Sequence, residues 1–118
     1  MSRIMLAFKN IIGEYDGIGT MIFDEIDNGI SGQTASVVGK KLLDISEKHQ
    51  IISITHLPQI AALGNNNYKI IKESYGFTTN ATIKHLTEHE KVEEIARLLS
   101  GDSITDVALE NAKALINN

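Results

Sequence analysis

Cysteine is absent from the 118 residues, which excludes a disulfide framework, a thiolate metal site and a cysteine nucleophile, and is compatible with a reducing cytosol. Long apolar runs are missing too. Stretches such as Thr20 to Phe23 and Ile51 to Ile54 fall far short of the roughly 18 residues that a membrane span needs. The segment Met1 to Asn10 is interrupted by Lys9 and Asn10 and has no small-residue cleavage site, so a soluble chain without a signal peptide is expected. Positive charge is thin and scattered. Against 15 Asp and Glu stand 11 Lys and Arg, a net charge of −4, and Lys40-Lys41 is the sole adjacent basic pair. No basic stripe is present with which this segment would grip nucleic acid. A Gly-x-x-x-x-Gly-Lys-Ser/Thr loop is also lacking: Gly13 to Thr20 has the glycines without the lysine, so the phosphate-cradling half of a nucleotide site is missing. The sequence has no internal repeat and no linker.

What is present is an ordinary globular composition, 42% hydrophobic and 22% charged, which excludes a disordered or low-complexity chain. The length predicts a single domain, residues 1–118, able to bury roughly two-thirds of its unfolded surface. Ile4, Phe8, Ile11 and Ile12 fall at helical spacing and stop at Gly13, where Gly13, Gly17 and Gly19 mark a loop. Thr20 to Phe23 is a continuous apolar run ending abruptly in Asp24-Glu25, the pattern of a strand buried on both faces in a parallel sheet. From Thr34 to Lys48 the positions Ala35, Val38, Leu42 and Ile45 lie three or four apart, which predicts an amphipathic helix. Ile51 to Thr55 is a second buried strand, so residues 20–55 form a strand, helix, strand unit with a right-handed crossover. The fold class is α/β. Pro58 can open and Gly64 can end a short helix within Leu57 to Leu63. Tyr68 to Lys72 and Thr78 to Leu86 flank a turn around Ser74-Tyr75-Gly76, a β-hairpin. Thr87 stands three residues before Glu90, the reciprocal capping pattern at a helix start. That helix has Val92, Ile95, Ala96 and Leu99 on its apolar face and ends at Gly101. A last helix carries Ile104, Val107, Ala108, Ala112, Leu115 and Ile116 on one side.

Ligands of open α/β sheets bind at the carboxyl ends of the strands, and the first strand here ends in two acids. An Asp at that edge can hold Mg²⁺, directly or through water, and an adjacent Glu can orient or deprotonate an attacking water. Two solvated acids at a strand end would give the same pattern. The second strand ends in Thr55-His56, and parallel strands share an edge, so His56 is expected near Asp24-Glu25 although it lies 31 positions beyond Glu25. The competing reading of His56 is a packed or helix-capping histidine. Asp27-Asn28-Gly29-Ile30-Ser31-Gly32 can present backbone N–H groups and a hydroxyl to an anion or a neighbouring subunit, or can simply be a turn into the helix. His49, His85 and His89 lack acidic or His partners at metal-ligand spacing and are expected at the surface. Ser31 has no histidine at a useful spacing, which argues against a Ser-His-Asp hydrolase. Glu93, Glu94 and Glu110 are expected on solvated helix faces.

Three blocks together resemble one family: Ser2-Arg3-Ile4-Met5-Leu6-Ala7, Thr20-Met21-Ile22-Phe23-Asp24-Glu25-Ile26-Asp27-Asn28-Gly29-Ile30-Ser31-Gly32, and Ile54-Thr55-His56-Leu57-Pro58-Gln59-Ile60-Ala61. They are similar to the carboxy-terminal part of RecN, the bacterial DNA-repair ATPases related to SMC proteins and ABC transporters. The likeness covers nearly the whole chain, and its Asp-Glu-Ile-Asp-x-Gly-Ile-Ser-Gly and Thr-His-Leu-Pro-Gln strings fit RecN more closely than ABC ATPases at large. The resemblance implies the carboxy-terminal lobe of an ABC-type ATPase head. Asp24 would be the Walker B aspartate that helps hold Mg²⁺, Glu25 the catalytic glutamate that activates water, and His56 the switch histidine on the γ-phosphate. Asp27 to Gly32, with Asp27, Ser31 and Gly32 as nucleotide-site residues, would form the D-loop region. Ser2 and Arg3 would follow the signature motif that caps a partner's nucleotide.

The resemblance further implies ATP and Mg²⁺ as cofactors of a complete head, a missing P-loop lobe as first partner, and a second head in a homodimer. DNA would be met through the whole protein, in the bacterial cytoplasm and at the nucleoid, with no membrane. P-loop, Q-loop and the signature core are lacking, so the chain looks like a fragment, inactive alone. The strand matching Ile51 to Thr55 should then lack its neighbour. Two other readings compete: a small stand-alone metal-dependent phosphohydrolase with Asp24, Asp27 and His56 as ligands, and a non-catalytic dimerisation module.

Overall fold

A computed structural model describes residues 19–24, 29–101 and 103–117. The helix expected around Ile4 to Ile12 lies outside the described residues. The chain divides into two compact units, one ending at Leu63 and the other starting at Gly64.

In the first unit, β1 (Thr20–Asp24) is followed by α1 (Gly32–Ser46), β2 (Gln50–Ile54) and the short α2 (Pro58–Ala61). The strands pair in parallel, from Thr20 opposite Gln50 to Asp24 opposite Ile54. Ser31 caps α1, its hydroxyl accepting from the Thr34 N–H, and so satisfies one of the free donors of the first turn. The expected apolar stripe of this helix is the observed one: Ala35, Val38, Leu42 and Ile45 are buried with Met21 and Phe23 of β1 and Ile60 of α2. Gly39 lies on the same helix, and a methyl group there would come within 2.6 Å of Leu63 Cδ1 and 3.6 Å of the Gln59 carbonyl oxygen. The missing side chain lets α2 and the residues after it lie close against α1.

The strands are not buried on both faces. Side chains alternate across a strand, so Met21 and Phe23 enter the core while Ile22 stays 61% exposed, with Ile52 and Ile54 of β2 at 44% and 43%. The described helices of this unit supply one covering layer, on the Met21 and Phe23 side. The apolar runs correctly marked strands, but a run of apolar residues does not say whether a second layer is present.

In the second unit, β3 (Tyr68–Tyr75) and β4 (Thr78–His85) form an antiparallel hairpin, followed by α3 (Glu88–Ser100) and α4 (Asp106–Ile116). The turn is Gly76-Phe77, tighter than the sequence suggested, because β3 runs on to Tyr75. Gly76 takes φ +62°, the left-handed conformation that a two-residue hairpin turn demands and that glycine adopts without strain. One hairpin face carries Lys69 and Lys84, which reach α3: Lys69 pairs with Glu94 at 3.0 Å and Lys84 pairs with Glu90. The opposite face carries Ile70 beside Ile83 and the tilted ring contact of Tyr68 with His85. Thr87 and Glu90 form the expected capping box, and Gly101 ends α3 at φ +85°. Ile95 and Ala96 of α3 and Ala108 and Ala112 of α4 are buried. Leu99, Ile104 and Val107, expected on the apolar faces, are exposed, since two short helices bury only the narrow strip along which they meet.

Glu94 is not on a solvated face either. Burial pushes its carboxyl up, but hydrogen bonds from Arg97 and Lys69 together outweigh that and hold it below its usual range. Glu90 is pulled down to about 2 by the Lys84 ammonium and the Thr87 backbone N–H. Its folded pKa lies below the unfolded value, so its contribution is fully present above pH 4.5 and is lost as pH falls toward about 2.

Three outcomes are expected. Leu42→Ala should remove about 2–5 kcal/mol from the first unit by leaving a cavity between α1 and the sheet, measured by urea unfolding of this chain. Thr87→Ala should cost the second unit about 1 kcal/mol, and Lys84→Met should flatten the acid limb of its stability profile between pH 4.5 and 2, followed by circular dichroism at each pH.

Candidate functional site

The parallel register fixes the geometry of the site. With Asp24 opposite Ile54, the carboxyl ends of β1 and β2 coincide, and His56 follows two residues beyond Ile54. Asp24 and His56 are both exposed, so both side chains are open to a ligand at this edge. Between strand and helix the backbone is pinned: Thr55 Oγ1 accepts from the Leu57 N–H at 3.1 Å. Leu57 then packs on the core, and Pro58, buried, opens α2 with its fixed φ. The amino end of α1, with Ser31 and Gly32, follows β1 in the chain and begins at the same edge. Gly29, at φ +78°, lies in the loop that leads to it.

Of the expected site residues, Asp24, Ser31, Gly32 and His56 are described. Glu25, Asp27, Ser2 and Arg3 lie outside the described residues. Ser31 has a structural task, since its hydroxyl serves the first turn of α1. Among the described residues no group of three His, Cys, Asp or Glu side chains could hold a metal ion. Mg²⁺ does not require one: it commonly binds through one or two carboxylates, water and substrate phosphates. Asp24, exposed and making no ion pair with a described residue, is a donor of that kind. Among the remaining histidines, His89 does have an acidic neighbour, Glu93 one turn on at 2.7 Å, with its side chain 84% exposed. His85 stacks on Tyr68. No helix among the described residues is long and apolar enough to cross a membrane.

One polar residue was missed in the sequence. Gln59, the last member of the Thr-His-Leu-Pro-Gln string, lays its amide against Gly32 at the start of α1, where a methyl group would come within 2.9 Å of Nε2. Its place in that string was the available signal.

No family model matches the chain. The DNA repair protein RecN of Haemophilus influenzae is 43% identical over 117 residues, covering 99% of this chain and 21% of that protein. RecN of Halalkalibacterium halodurans is 40% identical over 117 residues with the same coverage. This segment is RecN-like. RecN of Bacillus subtilis is 39% identical over 116 residues, 98% of this chain and 20% of that protein. The RecN-like segment thus spans about a fifth of the length of the curated relatives it matches. In three dimensions it resembles a solved structure from work on ATP-driven dimerization and DNA-stimulated activation of SMC ATPases. That match has a TM-score of 0.65 at 17% identity and covers 86% of this chain and 61% of the other. The match shows the fold alone: this chain shares with that SMC ATPase structure an α/β arrangement, here of parallel strands, flanking helices, a hairpin and two final helices.

The shared edge is open to direct measurement, because the cysteine-free chain accepts a single spin label. A nitroxide at Asp24→Cys should strongly broaden the His56 ring resonances, while the same label at Lys48→Cys, near the opposite end of α1, should broaden them far less. Equal effects from the two sites would contradict the register.

Proposed function

We infer that the RecN-like segment is the carboxy-terminal lobe of an ATPase head that works in DNA double-strand-break repair and recombination. The observation that carries this reading is the parallel register that brings Asp24 and His56 to one open edge, in a sequence about 40% identical to RecN proteins. Asp24 would contribute to holding Mg²⁺, and Glu25, next in the chain, would orient and deprotonate the attacking water. His56 would contact the γ-phosphate as bond cleavage proceeds. Mg²⁺, when bound with ATP, would neutralise charge developing on the phosphate oxygens. Asp27, Ser31 and Gly32 would line the loop that faces a second head, and Ser2 and Arg3 would lie beside that head's nucleotide.

This division of labour requires other polypeptide. A P-loop lobe would supply the cradle for the phosphates that the sequence lacks, and two heads would close on ATP as a homodimer. The exposed face of Ile22, Ile52 and Ile54 supports an apolar partner on the first sheet, because burying isoleucine side chains there would contribute about 25 cal/mol for each Å² removed from water. DNA would be engaged through the whole protein, in the cytoplasm and at the nucleoid, with no membrane involved. Residues 1–118 would act as one lobe within that assembly, the two units being its parts.

The test is calorimetric titration of Mg-ATP into this chain alone and into a mixture with a separately produced P-loop lobe. Binding and hydrolysis are expected in the mixture alone, and Glu25→Gln should lower turnover by about 10²–10⁴-fold, the range for loss of a general base. Tight Mg-ATP binding by the chain alone would overturn the assignment, since the phosphates would then be held by a site within these residues.

A further inference from the structure

The short helix α2 begins four residues after the end of β2 and carries Gln59 at its second position. Its neighbours Pro58 and Ile60 are buried, and Ile60 belongs to the core of the first unit. Gln59 faces α1 in two places. Its carbonyl oxygen lies 3.6 Å from where a methyl group on Gly39 would sit, and its side-chain amide closes over Gly32 two helical turns earlier, 2.9 Å and 3.6 Å from the corresponding position for Nε2 and Cδ. The amide oxygen Oε1 is fully buried and has no hydrogen-bond partner among the described residues. A buried amide oxygen without a donor is destabilising, and leucine, of similar size, would avoid that cost. Core packing alone does not account for a glutamine here.

The position of Gln59 suggests what the amide does. It stands three residues after His56, on the far side of a turn already pinned by the Leu57 N–H to Thr55 Oγ1 bond. It touches the first residue of α1, where the loop from the carboxyl end of β1 arrives. Without that contact, the turn that presents His56 and the start of α1 at Ser31-Gly32 would be tied only through the core.

We propose that Gln59 is a positioning residue that locks the His56 turn to the first turn of α1 through its contact with Gly32, so that the turn and the start of the helix move as one body. The proposal rests on the ATPase reading for its purpose, but not for its test. Gly32 is the complementary half of the lock, because any side chain there meets the amide. A Cβ at residue 32 would stand 2.9 Å from Nε2, so Gly32→Ala forces the end of the Gln59 side chain to shift and disturbs the same contact.

The experiment follows the His56 ring by nuclear magnetic resonance in this 118-residue chain, without nucleotide. Gln59→Ala should shift and sharpen the His56 ring signals and shift the Ser31, Gly32 and Gln33 amide signals. The Met21 methyl signal reports that the core is intact. Gly32→Ala should move the His56 signals in the same sense, and the double variant should match Gln59→Ala instead of adding the two changes. Gln59→Glu, which keeps length and shape, should return His56 most of the way to its original position. Unchanged His56 signals in Gln59→Ala, or additive changes in the double variant, would overturn the lock and leave Gln59 a packing residue. In the mixture with a P-loop lobe, Gln59→Ala should lower kcat with KM for ATP unchanged. If the mixture proves inactive, the ATPase reading fails while the His56 signals still decide the lock.

Discussion

Two parallel strands cannot be joined by a tight turn, because the chain must travel back the full length of the first strand before the second can begin. In this molecule α1 makes that return journey, and the arrangement of the first unit depends on its packing. Ala35, Val38, Leu42 and Ile45 hold the helix against Met21 and Phe23, which sets the strands side by side with their carboxyl ends level. Chemistry-bearing residues as far apart in the chain as Asp24 and His56 meet at one edge as a geometric result of the crossover, with no direct bond between them needed.

The helices were legible in the sequence because their signals are redundant. The stripe of α1 has the right period, Ser31 is a good cap, and the Thr87 and Glu90 pair announces α3 twice over. Hairpin existence was equally plain, while its turn was expected around Ser74-Tyr75-Gly76 and lies at Gly76-Phe77, because pairing runs on to Tyr75 and Thr78. The number of covering layers was not legible. Ile22 and Ile52 are apolar whether a second layer lies over them or not, and an apolar run carries no record of what it packs against. The same limit explains Val107 and Leu99, whose helical spacing was read as a wider apolar face than two short helices can bury together.

At the candidate site, the edge position of Asp24 and His56 followed from strand topology and needed no side-chain detail. Roles such as capping were partly visible, and the hydroxyl of Ser31 turned out to serve the helix it precedes. Interactions between elements distant in sequence stayed hidden. Glu94 looked like a solvated acid because its partner Lys69 lies on another element, and Gln59 was marked only by its place in the Thr-His-Leu-Pro-Gln string because its contact is to a glycine, which offers no side chain to pair with in any pattern search.

Ile22, Ile52 and Ile54 in one unit, and Ile70 and Ile83 in the other, remain in contact with water in the folded state. Apolar surface newly exposed on unfolding is what makes the heat capacity rise, and these side chains are exposed already. The RecN-like segment should therefore have a small heat-capacity increment for its length and a correspondingly flat stability curve, changing little between cold and moderate warmth. A polypeptide that covered those isoleucines would do more than add free energy. It would restore the curvature, giving the joined assembly a defined temperature of maximum stability that the segment by itself barely has.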